Sequence, residues 1–189
     1  PLTVLRAATI SLGVFIPGSE AAIQFDLSPP RTTAGVGLSP LNEFLAGCDT
    51  CGGDGSGNEV GAGILFDPGT ALLTFEIGYG SAAGFSDLTG AAFAWYLHGP
   101  AGPGEAGEIL RDLEPFHEFG ASGASGGFLH GAIQLDPVEV DHLMRGLTYV
   151  NIYTEAFPGG ELRGQLYRAA VPESNSWPGS LMGVGMAVM

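Results

Sequence analysis

Hydrophobic and polar residues alternate along most of the chain between residues 23 and 168, with the two-residue period of strands that bury one face. The clearest case is residues 73–79, where large apolar side chains occupy every second position. The same pattern, rich in β-branched and aromatic residues, predicts strands at 23–27, 62–66, 73–79, 92–98, 108–113, 128–135, 149–154 and 161–167.

Turn signals separate these strands. Asp67-Pro68-Gly69-Thr70 joins two of them, and Pro158-Gly159-Gly160 joins the last two as a hairpin, with a glycine taking the positive φ that a type II turn requires. The chain has 32 glycines and 13 prolines without a collagen-like period. Many short strands joined by such turns predict an all-β fold, an antiparallel sandwich or barrel.

Two short helices interrupt the strand pattern. Ser39 and Pro40 are suited to start a helix that runs to Leu45 and stops at Gly47. A second helix is predicted after Asp136, with Pro137 in its first position, Glu139 completing a capping box and Gly146 ending it. Its apolar side would consist of Val140, Leu143 and Met144.

Both ends of the chain differ from the strand-rich region. In residues 1–22, Arg6 precedes an apolar run that a Pro-Gly pair and small residues follow, which is typical of a secretory signal peptide cleaved after Ala21 or Ala22. Residues 169–189 contain Val171-Pro172-Glu173 and a short apolar stub, and they resemble a degenerate bacterial PEP-CTERM sorting tail. This pattern predicts a secreted or cell-surface protein that associates transiently with the membrane through the tail.

The formal net charge is −14, and all six basic residues are arginines. Such a surface repels phosphate backbones and anionic lipid headgroups, so nucleic-acid binding is not expected. Divalent cations and cationic matrix components are more compatible partners.

Residues 48–59 form a glycine- and aspartate-rich segment that is expected to be a loop. Cys48 and Cys51 are predicted to form a disulfide in an oxidising compartment, because no second cysteine pair is present to complete a zinc site. Weak calcium candidates are the oxygen donors Asp49, Asp54, Asn58 and Glu59, although the segment lacks the EF-hand order. No other cofactor is expected.

No catalytic motif accompanies these features. The chain has neither a nucleophile elbow nor a phosphate-binding loop. His98, His117, His130 and His142 show no metal-binding spacing and are interpreted as ordinary surface or loop residues. Glu161 and Arg163 share a strand face and are expected to form an ion pair beside the last turn.

Four separated segments resemble the CHRD (chordin-type) domain. They are SGNEVGAGILFDPGT, LTGAAFAWYLHGPAGPGEAGEILRDL, LMRGLTYVNIYT and the closing hairpin YVNIYT…FPGGELRGQL. The resemblance covers residues 23–168 and implies a sandwich of immunoglobulin-like or Cu/Zn superoxide dismutase-like type. The family-motif positions are Tyr96, His98, Tyr153, Pro158, Gly159, Gly160, Glu161 and Arg163.

Two departures from the family pattern bear on function. Tyr96 and Tyr153 stand where the family often has histidine, so two potential imidazole ligands are missing. We therefore expect a non-catalytic binding or matrix module whose partner is an extracellular protein or polysaccharide. The alternatives are a metal-dependent enzyme of superoxide dismutase-like fold and a surface protein that self-associates through its sheet edges.

Overall fold

The computed structural model describes residues 20–44, 48–121 and 123–170, with the side chain of Phe44 excluded. Residues 1–19 of the predicted signal peptide and residues 171–189 of the predicted tail lie outside this part. So do Leu45 and Gly47, the predicted end of the first helix.

Nine strands and two short α-helices make up the described residues, which confirms the predicted all-β class. The strands are β1 (Ile23–Leu27), β2 (Gly57–Asp67), β3 (Leu72–Tyr79), β4 (Ala92–Gly99), β5 (Glu108–Asp112), β6 (His117–Gly120), β7 (Gly123–Gln134), β8 (Tyr149–Thr154) and β9 (Leu162–Arg168). The helices are α1 (Pro40–Phe44) and α2 (Pro137–Met144).

All strand pairs are antiparallel and follow the order β5-β4-β8-β9-β1-β2-β3-β7-β6 in one continuous sheet. The sheet curls so that its two ends meet. Trp95 of β4, near one end, stacks on His117 of β6, at the other end, with ring centroids 3.7 Å apart. The two halves therefore face each other as in a sandwich.

One apolar core fills the space between these halves. The core consists of side chains from every second strand position, which point inward. Examples are Phe75 and Ile77 on β3 and Val150 and Ile152 on β8, all at most 4% exposed. The alternating residues point to the outer face of the sheet. On β4, β8 and β9 these outward positions include most of the family-motif residues that lie on strands.

Several sequence expectations are corrected at strand ends. Strand β2 begins at Gly57, so Asn58 and Glu59 belong to a strand and not to the predicted loop. Strand β7 begins at Gly123, five residues before the predicted start at residue 128, and β6 was not predicted at all. The starts of β2 and β7 were missed because glycine-rich strand residues carry little side-chain pattern and obtain their stability from pairing with neighbours. Strand β6 was missed because it has only 4 residues.

The second helix begins as predicted, with a capping box at Asp136. Asp136 accepts hydrogen bonds from the backbone of Val138 and Glu139, and the Glu139 side chain accepts from the backbone of Asp136. Leu143 is buried, but Met144 is 37% exposed, so it does not belong to the helix's buried side. No helix among the described residues is long and apolar enough to span a membrane.

The closing turn differs from the expected type. The backbone N–H of Gly160 donates to the carbonyl of Phe157 at 3.0 Å, which closes a β-turn around Pro158 and Gly159. The positive φ belongs to Gly160, at +122°, and not to Gly159, so this is not the predicted type II turn.

Candidate functional site

A polar and aromatic cluster lies on the outer face of β4, β8 and β9. We call it the outer-face cluster, and its members are Tyr96, His98, Tyr149, Asn151, Tyr153, Arg163 and, from α1, Glu43. Strand register brings these residues together, since His98 pairs with Tyr149 and Tyr96 pairs with Asn151. Asn151 in turn pairs with Arg163.

Helix α1 covers the β9 side of the cluster. The side-chain amide of Asn42 donates to the carbonyl of Arg163 at 2.9 Å, and the backbone of Ser39 bridges to Arg163. This docking places Glu43, only 3% exposed, over the cluster. Glu43, which is 120 positions away from Arg163 in the sequence, thereby interacts electrostatically with it.

Arg163 is almost completely buried, with 2% of its surface exposed. Its guanidinium donates to the carbonyls of Glu105 at 2.7 Å and Gly102 at 2.9 Å and to the side chain of Gln165 at 3.1 Å. It also lies over the ring of Tyr149, 3.6 Å from the centroid. These contacts hold the loop 100–107 against the sheet and make Arg163 an organising residue.

Both ring nitrogens of His98 are engaged. Nδ1 lies 3.0 Å from the carbonyl of Gly107, which can only accept, so Nδ1 carries the proton. Nε2 then accepts from the hydroxyl of Tyr153 at 3.0 Å. Burial lowers the pKa of His98, so the neutral imidazole is favoured in the folded protein.

Tyr96 and Tyr153 form the partly exposed rim of the cluster. Their ring centroids are 5.6 Å apart, and each lies about 6 Å from the ring of His98, at 5.9 and 6.1 Å respectively. Phe93, 52% exposed, extends this rim at 6.5 Å from Tyr153. The two tyrosines at the family's histidine positions thus converge on the retained histidine.

Glu43 and Asn151 leave two buried oxygens without a hydrogen-bond partner, Oε1 and Oδ1 respectively. Both border Gly160, where a Cβ would stand 2.8 Å from the first and 2.9 Å from the second. Burial raises the pKa of Glu43 to about 7, although the charge of Arg163 and the amide of Asn151 lower it. A proton on Glu43 would allow this carboxyl group to donate to such an acceptor.

The predicted ion pair between Glu161 and Arg163 is wrong. Glu161 is fully buried, and its two carboxylate oxygens accept from the backbone of Thr89 at 2.7 Å and from the hydroxyl of Thr154 at 2.8 Å. Arg163 instead uses backbone carbonyls and Gln165. Because Glu161 and Arg163 are both buried, each is stabilised by its own fixed hydrogen bonds and not by an exposed ion pair.

Cys48 and Cys51 form a disulfide, with Cα atoms 5.3 Å apart. The loop that contains them lies against the closing turn. A Cβ on Gly159 would be 2.6 Å from Cys48 Sγ, and one on Gly53 would be 2.6 Å from Glu161. Gly159 of the turn and Gly53 of the loop are therefore positions of close approach between the loop and the turn.

The calcium candidates are not assembled into a common site by the described structure. Glu59 lies in β2, and its carboxylate accepts from the backbone N–H of Leu27. Asn58 Oδ1 is buried without a partner, while Asp49 and Asp54 are exposed in the loop. Within residues 20–44, 48–121 and 123–170, no three His, Cys, Asp or Glu side chains are placed to hold a metal ion.

The remaining histidines are dispersed. His130 on β7 lies 3.2 Å from Glu118, both exposed, and His142 is on α2. His117 was expected to be an ordinary surface or loop residue, but it belongs to β6 and stacks on Trp95. Burial lowers its pKa to about 4.

Sequence reasoning missed Glu43, Tyr149 and Asn151 as members of the cluster. The period of two on β8 is a usable signal for the latter two, because it places them on the same face as Tyr153. Glu43 has no comparable signal, since only the docking of α1 on β9 brings it there.

The all-β fold defines the class as a β-sandwich domain, here with a fixed polar cluster on its outer face. The CHRD domain family matches residues 49–166, which is more than half of the chain, and the protein belongs to this family. Comparison with curated proteins and with solved structures gives no significant match.

Proposed function

We propose that this CHRD protein is a secreted or cell-surface, non-catalytic module that binds an extracellular protein or polysaccharide. The observation that carries the proposal is the engagement of His98. Both of its ring nitrogens are used, by Gly107 and by Tyr153, so neither is available as a metal ligand or a proton carrier without breaking the network.

The rest of the cluster supports the same interpretation. The guanidinium of Arg163 and both oxygens of Glu161 are held by internal partners. These groups stabilise a rigid sheet face and leave partly exposed aromatic rings at the surface, which is a common composition for recognition. The metal-dependent enzyme is therefore the less supported alternative.

Export is supported by two features. A disulfide persists in oxidising compartments, and the Cys48–Cys51 pair is such a bond. The signal-like residues 1–22 predict that mature protein begins near Ala22. Intact-mass measurement of protein recovered from the outside of producing cells tests this, and retention of residues 7–16 in that material would contradict it.

The binding function is tested by co-sedimentation of purified protein with the extracellular matrix of producing cells. We expect saturable retention, with no stoichiometric copper or zinc by elemental analysis and no dismutase activity. Self-association is measured in parallel by sedimentation velocity in low and high salt. About one metal ion per chain that is lost in His98→Ala would overturn the proposal in favour of the enzyme.

A further inference from the structure

A groove lies along the seam where the two ends of the curled sheet meet. We call it the seam groove. Its volume is about 390 Å³, and it is lined by Ala92, Phe93, Trp95, Glu114, His117 and Phe119. Strand β5 pairs with residues 96–99 of β4, and the backbone N–H of Leu113 donates to the carbonyl of Trp95 at 2.8 Å. Residues 92–94 are therefore at an edge, and β6 is the edge strand of the other end.

The lining is predominantly aromatic and unusually exposed. Phe93 is 52% exposed and Phe119 is 57% exposed. Two large apolar rings that line the groove are therefore in contact with solvent. The ring of Phe119 meets His117 edge-on at 4.4 Å, and His117 stacks flat on Trp95 at 3.7 Å. Exposed aromatic groups of this size in a groove indicate a binding surface.

A buried hydrogen-bond chain keeps the base of the groove rigid and uncharged. Trp95 Nε1 donates to the hydroxyl of Tyr79 at 3.1 Å, and that hydroxyl is hydrogen-bonded to Nε2 of the His117 imidazole, 2.6 Å away. The low pKa of His117 agrees with this neutral imidazole. A neutral ring does not repel a cation above it.

The electrostatics of the groove favour a positively charged occupant. Glu114 is an exposed acid on the lining, and none of the described residues that line the groove is an arginine. The whole chain has a formal net charge of −14. Aromatic faces attract cations through their quadrupole, and a nearby carboxylate adds to that attraction.

We propose that the seam groove binds an arginine side chain presented by a partner protein. This inference rests on the proposed binding function and names the partner's chemistry. A guanidinium is planar, so it stacks on aromatic rings while its N–H groups reach a carboxylate. The protein uses the same contact internally, where Arg163 lies 3.6 Å from the centre of Tyr149.

The test is an NMR titration with acetyl-Gly-Arg-Gly-Arg-Gly-amide, followed through the ring signals of His117 and Phe119. The matched probe replaces both arginines by citrulline, which keeps the shape and removes the charge. We expect the arginine peptide to bind at least about tenfold more tightly than the citrulline peptide. Cellohexaose, a neutral sugar, serves as the probe for a carbohydrate occupant.

Two variants locate the binding. Phe119→Leu keeps an apolar side chain but removes the aromatic face, and it should weaken binding about threefold to fivefold. Glu114→Gln should weaken it about twofold to fivefold. The matched controls are Phe85→Leu and Glu108→Gln, neither of which lines the groove, and they should leave affinity unchanged. All four variants are first checked for an unchanged melting temperature.

Three results would overturn the inference. Equal affinity for the arginine and citrulline peptides would remove the need for charge. Equal weakening by Glu108→Gln and Glu114→Gln would indicate general attraction to the acidic surface. Cellohexaose binding that is lost in Phe119→Leu, without peptide binding, would make the groove a sugar site. If matrix co-sedimentation persists in these cases, the binding-module proposal stands and only the seam-groove assignment fails.

Discussion

Glu43 is a buried acid whose protonation is coupled to folding. It is 3% exposed, and its Oε1 has no hydrogen-bond partner. Burial raises its pKa from 4.5 to about 7, so between these values the folded protein binds a proton that the unfolded chain releases. The protonated form therefore contributes stability below about pH 4.5, and this contribution is lost as the pH rises through about 7.

We predict that Glu43 lowers the free energy of unfolding by on the order of 3 kcal/mol between pH 4.5 and pH 8. The measurement is urea denaturation across this range for wild type and Glu43→Gln. The difference between the pH profiles of the two proteins isolates the contribution of Glu43. The comparison is needed because the low pKa of His117 makes the free energy of unfolding rise with pH between about 4 and 6.5, which is opposite to the effect of Glu43. Parallel pH profiles for both proteins would refute the assignment.

Tyr96 and Tyr153 allow a second test at the residue scale. Their rings converge on His98, and the hydroxyl of Tyr153 occupies His98 Nε2. Tyr153→His combined with Tyr96→His should free that nitrogen and supply two further imidazoles. Together with His98 this gives three imidazoles, which is the number of protein ligands in many zinc sites.

We predict that this double variant binds about one Zn²⁺ per chain and gains thermal stability with zinc, whereas each single variant does neither. Calorimetric titration and melting curves with and without zinc provide the readout. Adding His98→Ala to the double variant is the control and should abolish the effect. A double variant without zinc affinity would show that the three side chains do not form a site.

At the scale of elements, the closing hairpin depends on a glycine at the loop contact. A Cβ on Gly159 would stand 2.6 Å from Cys48 Sγ and from Thr50 Oγ1, and 3.1 Å from Cys51 Sγ. The hairpin turn therefore fits under the disulfide loop only without a side chain at this position.

We predict that Gly159→Ala lowers stability by about 1–3 kcal/mol in the oxidised protein. The loss should be smaller in a Cys48→Ser, Cys51→Ser background, where the loop can move. Removal of the disulfide alone should have a minor effect, because its loop is so short. Denaturation of the four proteins completes the cycle, with Gly102→Ala, whose nearest new contact is 3.5 Å, as control. Equal losses in both backgrounds would exclude the loop as the cause.

At the scale of the whole molecule, Tyr79 closes the curled sheet. Its hydroxyl links Trp95 near one end of the sheet to His117 at the other, and the side chain itself is fully buried. Loss of the hydroxyl leaves a buried indole N–H and an imidazole nitrogen without their partner.

We predict that Tyr79→Phe lowers the free energy of unfolding by about 1–3 kcal/mol and leaves the pKa of His117 below its ordinary value, because burial of the imidazole is the cause of that low pKa. Denaturation measures the first effect, and NMR titration of the imidazole measures the second. Tyr167→Phe on β9 removes a hydroxyl outside the seam and should have little effect on either. A His117 pKa that rises toward its ordinary value in Tyr79→Phe would contradict burial as the cause.

The sequence by itself determined the elements that depend on local pattern. Alternation defined the middle of strands such as β3 and β8, and the capping residues Asp136 and Glu139 defined the start of α2. These signals are local because side-chain direction in a strand and hydrogen bonding at a helix end depend on residues a few positions apart. The segments that resemble the CHRD domain indicated, in addition, the motif positions that share the outer face.

Only the tertiary structure decided which of these residues meet and what each one does. Strand β6 exists because it pairs with β7, and His117 stacks on Trp95 because the sheet curls. Glu161 lies just before β9 and not on a strand face shared with Arg163, and each of the two binds a different loop. Such contacts join residues far apart in the chain, and their energies depend on burial and on partners that no local pattern specifies.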